Sequence, residues 1–404
     1  MSGVALSTED LSGDAKAWRP PGIGDVVLDE LCSTLFASLP RRDQRRRAAE
    51  YVRGLLGTEG RKSVRNIAAL IGGQATEQSL HHFVSSSTWD WTPVRRALAQ
   101  YLVRAAPPQA WVVRPMVIPK AGENSVGVDR RFFPALGQSL NAQQAVGVWA
   151  ASMARSDPVN WRLQLSDAWL ADLTRRSRAS IPDELVPESL EDCAVEAYLG
   201  MTRSWDLPVR PVVLDAREAG AVSAVRRFRA AHVPLLVRIN SSVRLRMTDP
   251  ALPDRDEALS AHQIMNLAGN RRRPVPWHGL GRPAEAVHTV LAATARVTMA
   301  SHPGRLGRGA AREELLLLGT GEHGCPWPAE LWLTDLMHAS PADLLRLTTL
   351  VHRVDRDFAE ISDRVGMRDY TGRSYIGWHR HVTLASAAHA IATLTGTTQR
   401  HACC

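Results

Sequence analysis

The side chains best suited to chemistry in this sequence are its arginines. The 404 residues carry a formal net charge of +8, and only three of the 49 basic residues are lysines: Lys16, Lys62 and Lys120. Between Pro40 and Arg104 there are 12 basic and 5 acidic residues, so nearly the whole positive excess lies in this segment. A guanidinium presents a fork of donors that suits phosphate oxygens, so we expect a nucleic-acid partner. A GC-rich coding bias would explain arginine in place of lysine, but not this clustering.

Six side chains of the basic segment are the predicted phosphate contacts: Arg41, Arg45, Arg46, Arg61, Lys62 and Arg65. Residues 61–87 are expected to form a helix-turn-helix, with Gly72 and Gly73 as the turn and residues 77–85 as the reading helix. The alternative is a helical bundle with an exposed basic face. Both arrangements predict binding to double-stranded DNA.

Cysteine and zinc chemistry are not expected. None of the five cysteines forms a C-x-x-C pair: Cys32, Cys193, Cys325, Cys403 and Cys404. His379 and His381 are two residues apart and would not share a helix face, which argues against a zinc site there. The sequence lacks both a membrane-length apolar run and a secretory signal pattern. We therefore expect a cytoplasmic, nucleoid-associated protein with no membrane contact.

The patterning divides the chain into five predicted parts. They are a flexible lead-in (1–24), an all-helical basic DNA-binding domain (25–106), the first part of an RNase H-like domain (107–240), an irregular insertion (241–330) and C-terminal helices that complete the RNase H-like domain (331–404). After Pro107 and Pro108, three short apolar runs precede alternating helices and strands. This order is typical of an RNase H-like domain, although it also fits other α/β folds. The expected class is α+β or α/β.

Five blocks of sequence occur in a recognisable order. They are LPRRDQRRRAAEYVRGLLGTEGRKSVRNIA (39–68), SLHHFVSSSTWDWTPVRRAL (79–98), IPKAGENSVGVDRRFFPALGQSLNAQQAVGV (118–148), PVNWRLQLSDAW (158–169) and YTGRSYIGWHRHVTLASAAHA (370–390). Together they resemble bacterial insertion-sequence transposases with a DDE superfamily endonuclease domain. The resemblance implies an RNase H-like fold in which three carboxylates hold two divalent cations, Mg²⁺ or Mn²⁺, for in-line displacement at a DNA phosphate.

The sequence departs from this family at the implied acids. The first aspartate is expected just before the IPK turn, where this chain has Arg114 or Pro115. The second matches Asp215. Asp355 stands where the resemblance implies a glutamate, and Ser362 where it implies a lysine. Because a guanidinium cannot ligate a cation and an aspartate is shorter than a glutamate, we expect loss of the nuclease and no metal cofactor.

We expect Arg114 to pair with Asp215 and to stand in for the lost metal charge, or else to point to solvent. The favoured function is DNA binding without cleavage, as a transposition relic or a recruited regulator, with a homodimer as one option. An active or partly active transposase remains an alternative, with metal held by Asp215, Asp355 and another carboxylate. A further alternative is different chemistry, or an interaction scaffold, on the same fold.

Overall fold

A computed structural model describes residues 23–72, 74–133, 137–217, 220–253, 257–278, 287–299 and 314–402. The predicted lead-in lies outside these residues except for residues 23 and 24, which begin the first helix. The described part of residues 25–106 is helical, as predicted. Its helices are α1 (Ile23–Leu35), α2 (Arg42–Gly57), α3 (Val64–Ile71), α4 (Gln74–Ser85) and α5 (Thr92–Ala105).

Local signals in the sequence set the ends of these helices. Ser63 precedes α3, and its side chain accepts a hydrogen bond from the backbone N–H of Asn66, the usual role of a serine N-cap. Pro93 occupies the first turn of α5, where a missing N–H costs nothing. Gly72 ends α3 with φ of 130°, a conformation that favours glycine.

The second part of the chain forms a mixed sheet. Its strands are β1 (Ala110–Pro119), β2 (Val128–Phe133), β3 (Gln138–Ala151), β4 (Ser156–Leu163), β5 (Val212–Asp215) and β6 (Leu235–Ile239). β3 pairs antiparallel with β1, β2 and β4, whereas β1, β5 and β6 are parallel neighbours. The helices of this part are α6 (Asp167–Leu170), α7 (Leu173–Arg178), α8 (Leu190–Thr202) and α9 (Ala221–Ala230). The order β4–β3–β1–β5–β6 is that of an RNase H-like fold, so the predicted fold class is confirmed.

The segment 241–330 is more regular than predicted. It contains β7 (Arg244–Met247), β8 (Leu259–Ser260), α10 (Ala261–Leu267), β9 (Arg273–His278), β10 (Val287–Met299), β11 (Glu314–Glu322) and the start of β12 (Glu330–Thr334). Because β12 pairs antiparallel with β6, these strands extend the same sheet to twelve strands among the described residues. Pro274 and Pro276 interrupt the strand pattern of β9 in the sequence. Among the described residues β9 pairs with β10 alone, and an edge strand tolerates proline.

The C-terminal helices join the sheet to the N-terminal helices. α11 (Pro341–Asp357) continues into a π-helical turn (Phe358–Ser362), and α12 (Tyr375–Ala402) follows. Every residue from 377 to 391 is buried, because α12 packs against α1, α2, α4 and β4. The hydrophobic core is therefore continuous across the predicted boundary at residue 106. Neither α12 nor any other described helix is long and apolar enough to cross a membrane.

Candidate functional site at the strand ends

The parallel pairing of β1 with β5 places the implied acidic positions side by side, at the end of β5 and within β1. The register of β1 and β5 sets Val113 beside Leu214, so Arg114 and Asp215 are the next residues of the two strands. β5 ends at Asp215, which pairs in register with Arg238 of β6. α11 packs on β1 and β5 and brings a third element to this edge. We call the charged side chains here the strand-end cluster: Arg114, Asp215, Arg217, Arg238, Glu330 and Asp355.

Arg114 reaches from β1 to α11. Its Nε donates to Oδ1 of Asp355 at 2.7 Å, and its guanidinium carbon lies 4.1 Å from the centre of the Phe358 ring. The side chain is 23% exposed and that of Asp355 is 52% exposed. The predicted pairing of Arg114 with Asp215 is therefore wrong, and Arg114 does not simply point to solvent. The reason is that α11 lies over this end of β1 and presents a closer carboxylate.

Asp215 is held by two arginines that we did not predict from the sequence. Nε of Arg217 lies 3.0 Å from each oxygen of Asp215, and Nη2 of Arg217 donates to Oδ2 at 2.7 Å. Nη1 of Arg238 lies 3.5 Å from Oδ2 of Asp215, and Nη2 of Arg238 lies 2.5 Å from Oε1 of Glu330. The position of Arg217, two residues after Asp215, was a visible local signal. Glu330 joins the cluster only because β12 pairs with β6.

Pro115 and Ser362 form no ion pair with these charges. Pro115 lines a small, mostly apolar cavity with Leu190 and Ala194 of α8, and Glu191 and Asp215 line it too. Arg114 is the residue of the pair that contacts α11. Ser362 is fully buried, and its Oγ lies 2.9 Å from Nδ1 of His389 on α12. Within the described residues, no group of three or more histidine, cysteine, aspartate or glutamate side chains is arranged to hold a metal ion.

Comparison with known families gives a match to the model of the DDE superfamily endonuclease over residues 34–301, well over half of the chain. The chain belongs to this family. The fold is also similar to a piggyBac transposase in a synaptic complex with hairpin DNA, at 10% identity and a TM-score of 0.40, over 93% of this chain and 74% of that one. A search of curated proteins finds no match.

The matched range of the DDE superfamily endonuclease model includes the predicted DNA contacts. Arg41 and Arg46, at the start of α2, line an open cleft of about 230 Å³ with His82 of α4. Arg45 is half-buried, and its Nη1 donates to the backbone carbonyl of Leu39 at 2.8 Å. Arg45 therefore stabilises the backbone just before α2, whereas the side chains of Arg41 and Arg46 are exposed.

The other predicted contacts surround the start of α3. Arg61 and Arg65 are exposed, but Lys62 between them is only 6% exposed. The backbone N–H of Lys62 donates to Oδ2 of Asp369 at 2.7 Å, and its side-chain stem lies against Gly366. Burial lowers the pKa of the Lys62 ammonium, against the opposing effect of Asp369. Lys62 is thus not part of an open basic surface.

The pair α3 and α4 has the sequence order expected of a helix-turn-helix. α4 also packs against α12, and this contact buries Leu80 and Phe83. Among the α4 side chains whose burial is described, from Thr76 to Ser85, the exposed ones are Gln78, His81 and His82. These side chains, together with the arginines beside them, are the ones that a duplex could reach.

Proposed function

We propose that this DDE-family chain binds double-stranded DNA and does not cleave it, as a relic of insertion-sequence transposition or a regulator recruited from one. The observation that carries the proposal is the ion pair between Arg114 and Asp355, at 2.7 Å. The guanidinium lies where the family implies the first carboxylate, and it also occupies the carboxylate that stands at the third position.

The residues at the strand ends do not fit a pair of divalent cations. Two-metal cleavage needs several carboxylate oxygens that converge on the metals. Here Arg114 takes an oxygen of Asp355, and Arg217 contacts both oxygens of Asp215. A cation would have to displace these guanidinium groups and remain beside their positive charge. We therefore expect neither Mg²⁺ nor Mn²⁺ to act as a cofactor.

Binding to DNA is supported by the exposed cations of the helical part. The side chains of Arg41 and Arg46 are 59% and 64% exposed, and their carboxylate partners are Asp43 and Glu50. Exposed ion pairs contribute only about 0–1 kcal/mol, so DNA phosphates can replace these partners at little cost. Phosphate contacts of this kind release counterions, which makes the affinity salt-dependent.

The test is a gel shift against genomic DNA that flanks the gene, with and without divalent metal, between about 50 and 200 mM salt. We expect salt-sensitive binding that needs no metal, and no nicking. The double variant Arg41→Ala/Arg46→Ala should lower the slope of log affinity against log salt by about two. Arg203→Ala, which removes an exposed arginine of the RNase H-like part, is the matched control. Binding that is insensitive to salt and unchanged in the double variant would contradict the proposal.

An active nuclease is the second candidate. The observation in its favour is that Arg238 contacts both Asp215 and Glu330, so two carboxylates lie around one guanidinium. A cation in place of that guanidinium would gain two acidic ligands. Nicking of DNA in Mg²⁺ or Mn²⁺ by the unmodified chain, in the same assay, would support this candidate and exclude the first.

A further inference from the structure

A cavity between the helical part and the C-terminal segment is lined by a lysine whose ammonium makes no direct contact with a described residue, although the charges of Asp369 and Glu59 act on it. The cavity has a volume of about 220 Å³ and lies between α3, α4 and residues 369–372. Lys62 lines it and is only 6% exposed. Its Nζ forms no hydrogen bond or ion pair with any residue that the structure describes. We call this space the Lys62 cavity.

The surroundings keep this ammonium in the cavity. Gly366 has a φ of 74°, and its missing Cβ leaves room for the stem of Lys62 to pack on the backbone. The nearest acid, Asp369, is engaged through Oδ2 with the backbone N–H of Lys62 at 2.7 Å. Because Nζ of Lys62 donates to no described group, its donors are available to a ligand in the cavity. The arrangement therefore favours an anion that enters from outside.

Other groups around the cavity suit an anion. Ser63 is the N-cap of α3, and the first turn of this helix, with Val64 and Arg65, lines the cavity. The N–H groups and the dipole at a helix start favour anions. Lys120 lies close by, and its Nζ donates to the backbone carbonyl of Tyr370 at 2.6 Å. Burial, with a contribution from the nearby charge of Arg61, lowers the pKa of Lys120 to about 8.

Two acidic side chains also line the Lys62 cavity, Glu77 and Asp369. His81 lines it as well and is exposed at its mouth. On the wall, Lys62 and Arg65 are balanced by Glu77 and Asp369, and the surroundings add Arg61 and Lys120 against Glu59, so the cations exceed the acids by one. The remaining polar wall consists of hydroxyl and backbone groups that can donate to phosphate oxygens.

We propose that the Lys62 cavity binds one phosphate group of the DNA backbone, between the ammonium of Lys62 and the start of α3. The inference rests on the DNA binding proposed above. The cavity wall comes from both the helical part and residues 369–372. A phosphate held there fixes the duplex relative to the core that also supports the strand-end cluster, and not only relative to the helices.

The first test is Lys62→Met, which keeps the stem on Gly366 and removes the charge. We expect the affinity for duplex DNA to fall about tenfold, since a hydrogen bond between charged groups is lost. The slope of log affinity against log salt should fall by about one. Arg203→Met removes one positive charge at an exposed position after the end of α8. This control should leave the affinity for duplex DNA and the salt slope unchanged. Lys62→Met should unfold at about the same temperature as the unmodified chain, because no direct contact of the ammonium is lost.

The second test needs no variant. Reductive methylation of lysines, read by mass spectrometry, reports whether Lys62 is covered. We expect duplex DNA to protect Lys62, and inorganic phosphate to protect it at higher concentration. If inorganic phosphate protects Lys62 but the chain does not bind duplex DNA, the Lys62 cavity is an anion site and the proposed function is contradicted. In another outcome, the chain binds duplex DNA while Lys62 stays unprotected, and Lys62→Met binds duplex DNA with unchanged affinity. This outcome would contradict the phosphate site in the Lys62 cavity and leave the proposed function intact.

Discussion

The strand-end cluster and the interior around α12 both use arginine, but they give it different partners. At the strand ends, Arg114, Arg217 and Arg238 contact carboxylates and remain partly exposed. Around α12, Arg95 and Arg380 are 2% and 3% exposed and contact neutral acceptors. The five donors of Arg95 all have such acceptors: Oγ1 of Thr383, Oδ1 of Asn160, the carbonyl of Trp161, and Nδ1 and the carbonyl of His379.

The partners of the two sets of arginines indicate what each set contributes to the structure. Burial lowers the pKa of Arg95 to about 9 and that of Arg380 to about 10, since a charge far from water is penalised. Each buried guanidinium is retained because it satisfies several backbone and side-chain acceptors at once. Arg380 donates to the carbonyls of Val84 and Trp89, and so ties the end of α4 to α12. The interior arginines therefore hold the fold, whereas the strand-end arginines set local charge.

Three histidines of α12, His379, His381 and His389, belong to the interior set. Nδ1 of His381 lies 2.9 Å from the Tyr51 hydroxyl, and its Nε2 lies 2.9 Å from the Gly366 carbonyl. His389 contacts the carbonyl of Ser156 through Nε2 at 2.9 Å. His379 stacks on Trp91, with ring centroids 4.8 Å apart. These rings act as neutral hydrogen-bonding groups that link α12 to the surrounding elements.

The largest expected effect is that of Arg95→Met. The substitution leaves the buried acceptors on Thr383, Asn160 and His379 without their donor, so we expect a loss of about 3–5 kcal/mol in the free energy of unfolding. Arg96→Met, at the exposed neighbouring position of α5, should change it by less than about 0.5 kcal/mol. Chemical denaturation measures both. Equal effects of the two substitutions would show that the buried hydrogen bonds of Arg95 do not stabilise the fold.

A smaller effect is expected from pH. Burial lowers the pKa of His381 to about 4, and it also lowers the pKa values of His379 and His389. The unfolded chain therefore binds more protons below about pH 6.5, and stability falls as pH decreases from there towards 4. Within this pH range, each histidine lowers the free energy of unfolding by about 1.4 kcal/mol for each pH unit of decrease. His381→Gln should reduce the slope of unfolding free energy against pH, while His82→Gln, at an exposed position, should not. An unchanged slope in His381→Gln would contradict the assignment.

The smallest effect is expected from Arg114→Met. The pair of Arg114 with Asp355 is partly exposed, so its loss should cost no more than about 1 kcal/mol, with a similar share from the contact with Phe358. Chemical denaturation of Arg114→Met and Arg95→Met under the same conditions compares the strand-end cluster with the interior around α12. A loss as large as that of Arg95→Met would show that the strand-end cluster also holds the fold.

Several features could be predicted from the sequence because they depend on neighbours along the chain. The helices α2 to α5 follow from apolar spacing, the N-cap Ser63 and Pro93. The placement of Asp215 at a strand end follows from the apolar run that precedes it, whereas Arg114 lies within β1, which continues to Pro119. Family membership follows from the order of the sequence blocks. Most strands of the insertion were missed because prolines and glycines interrupt their pattern.

Only the tertiary structure decided which charges meet. Arg114 pairs with Asp355 because α11, more than 200 residues later, lies over β1, and Glu330 reaches Arg238 through strand pairing. The burial of Lys62 comes from Gly366 and Asp369, far along the chain. Sequence spacing constrains groups within a helix turn or a strand, since the chain itself fixes their separation. Contacts between distant segments depend on packing, and packing decided here that an arginine near Asp215 takes another acid.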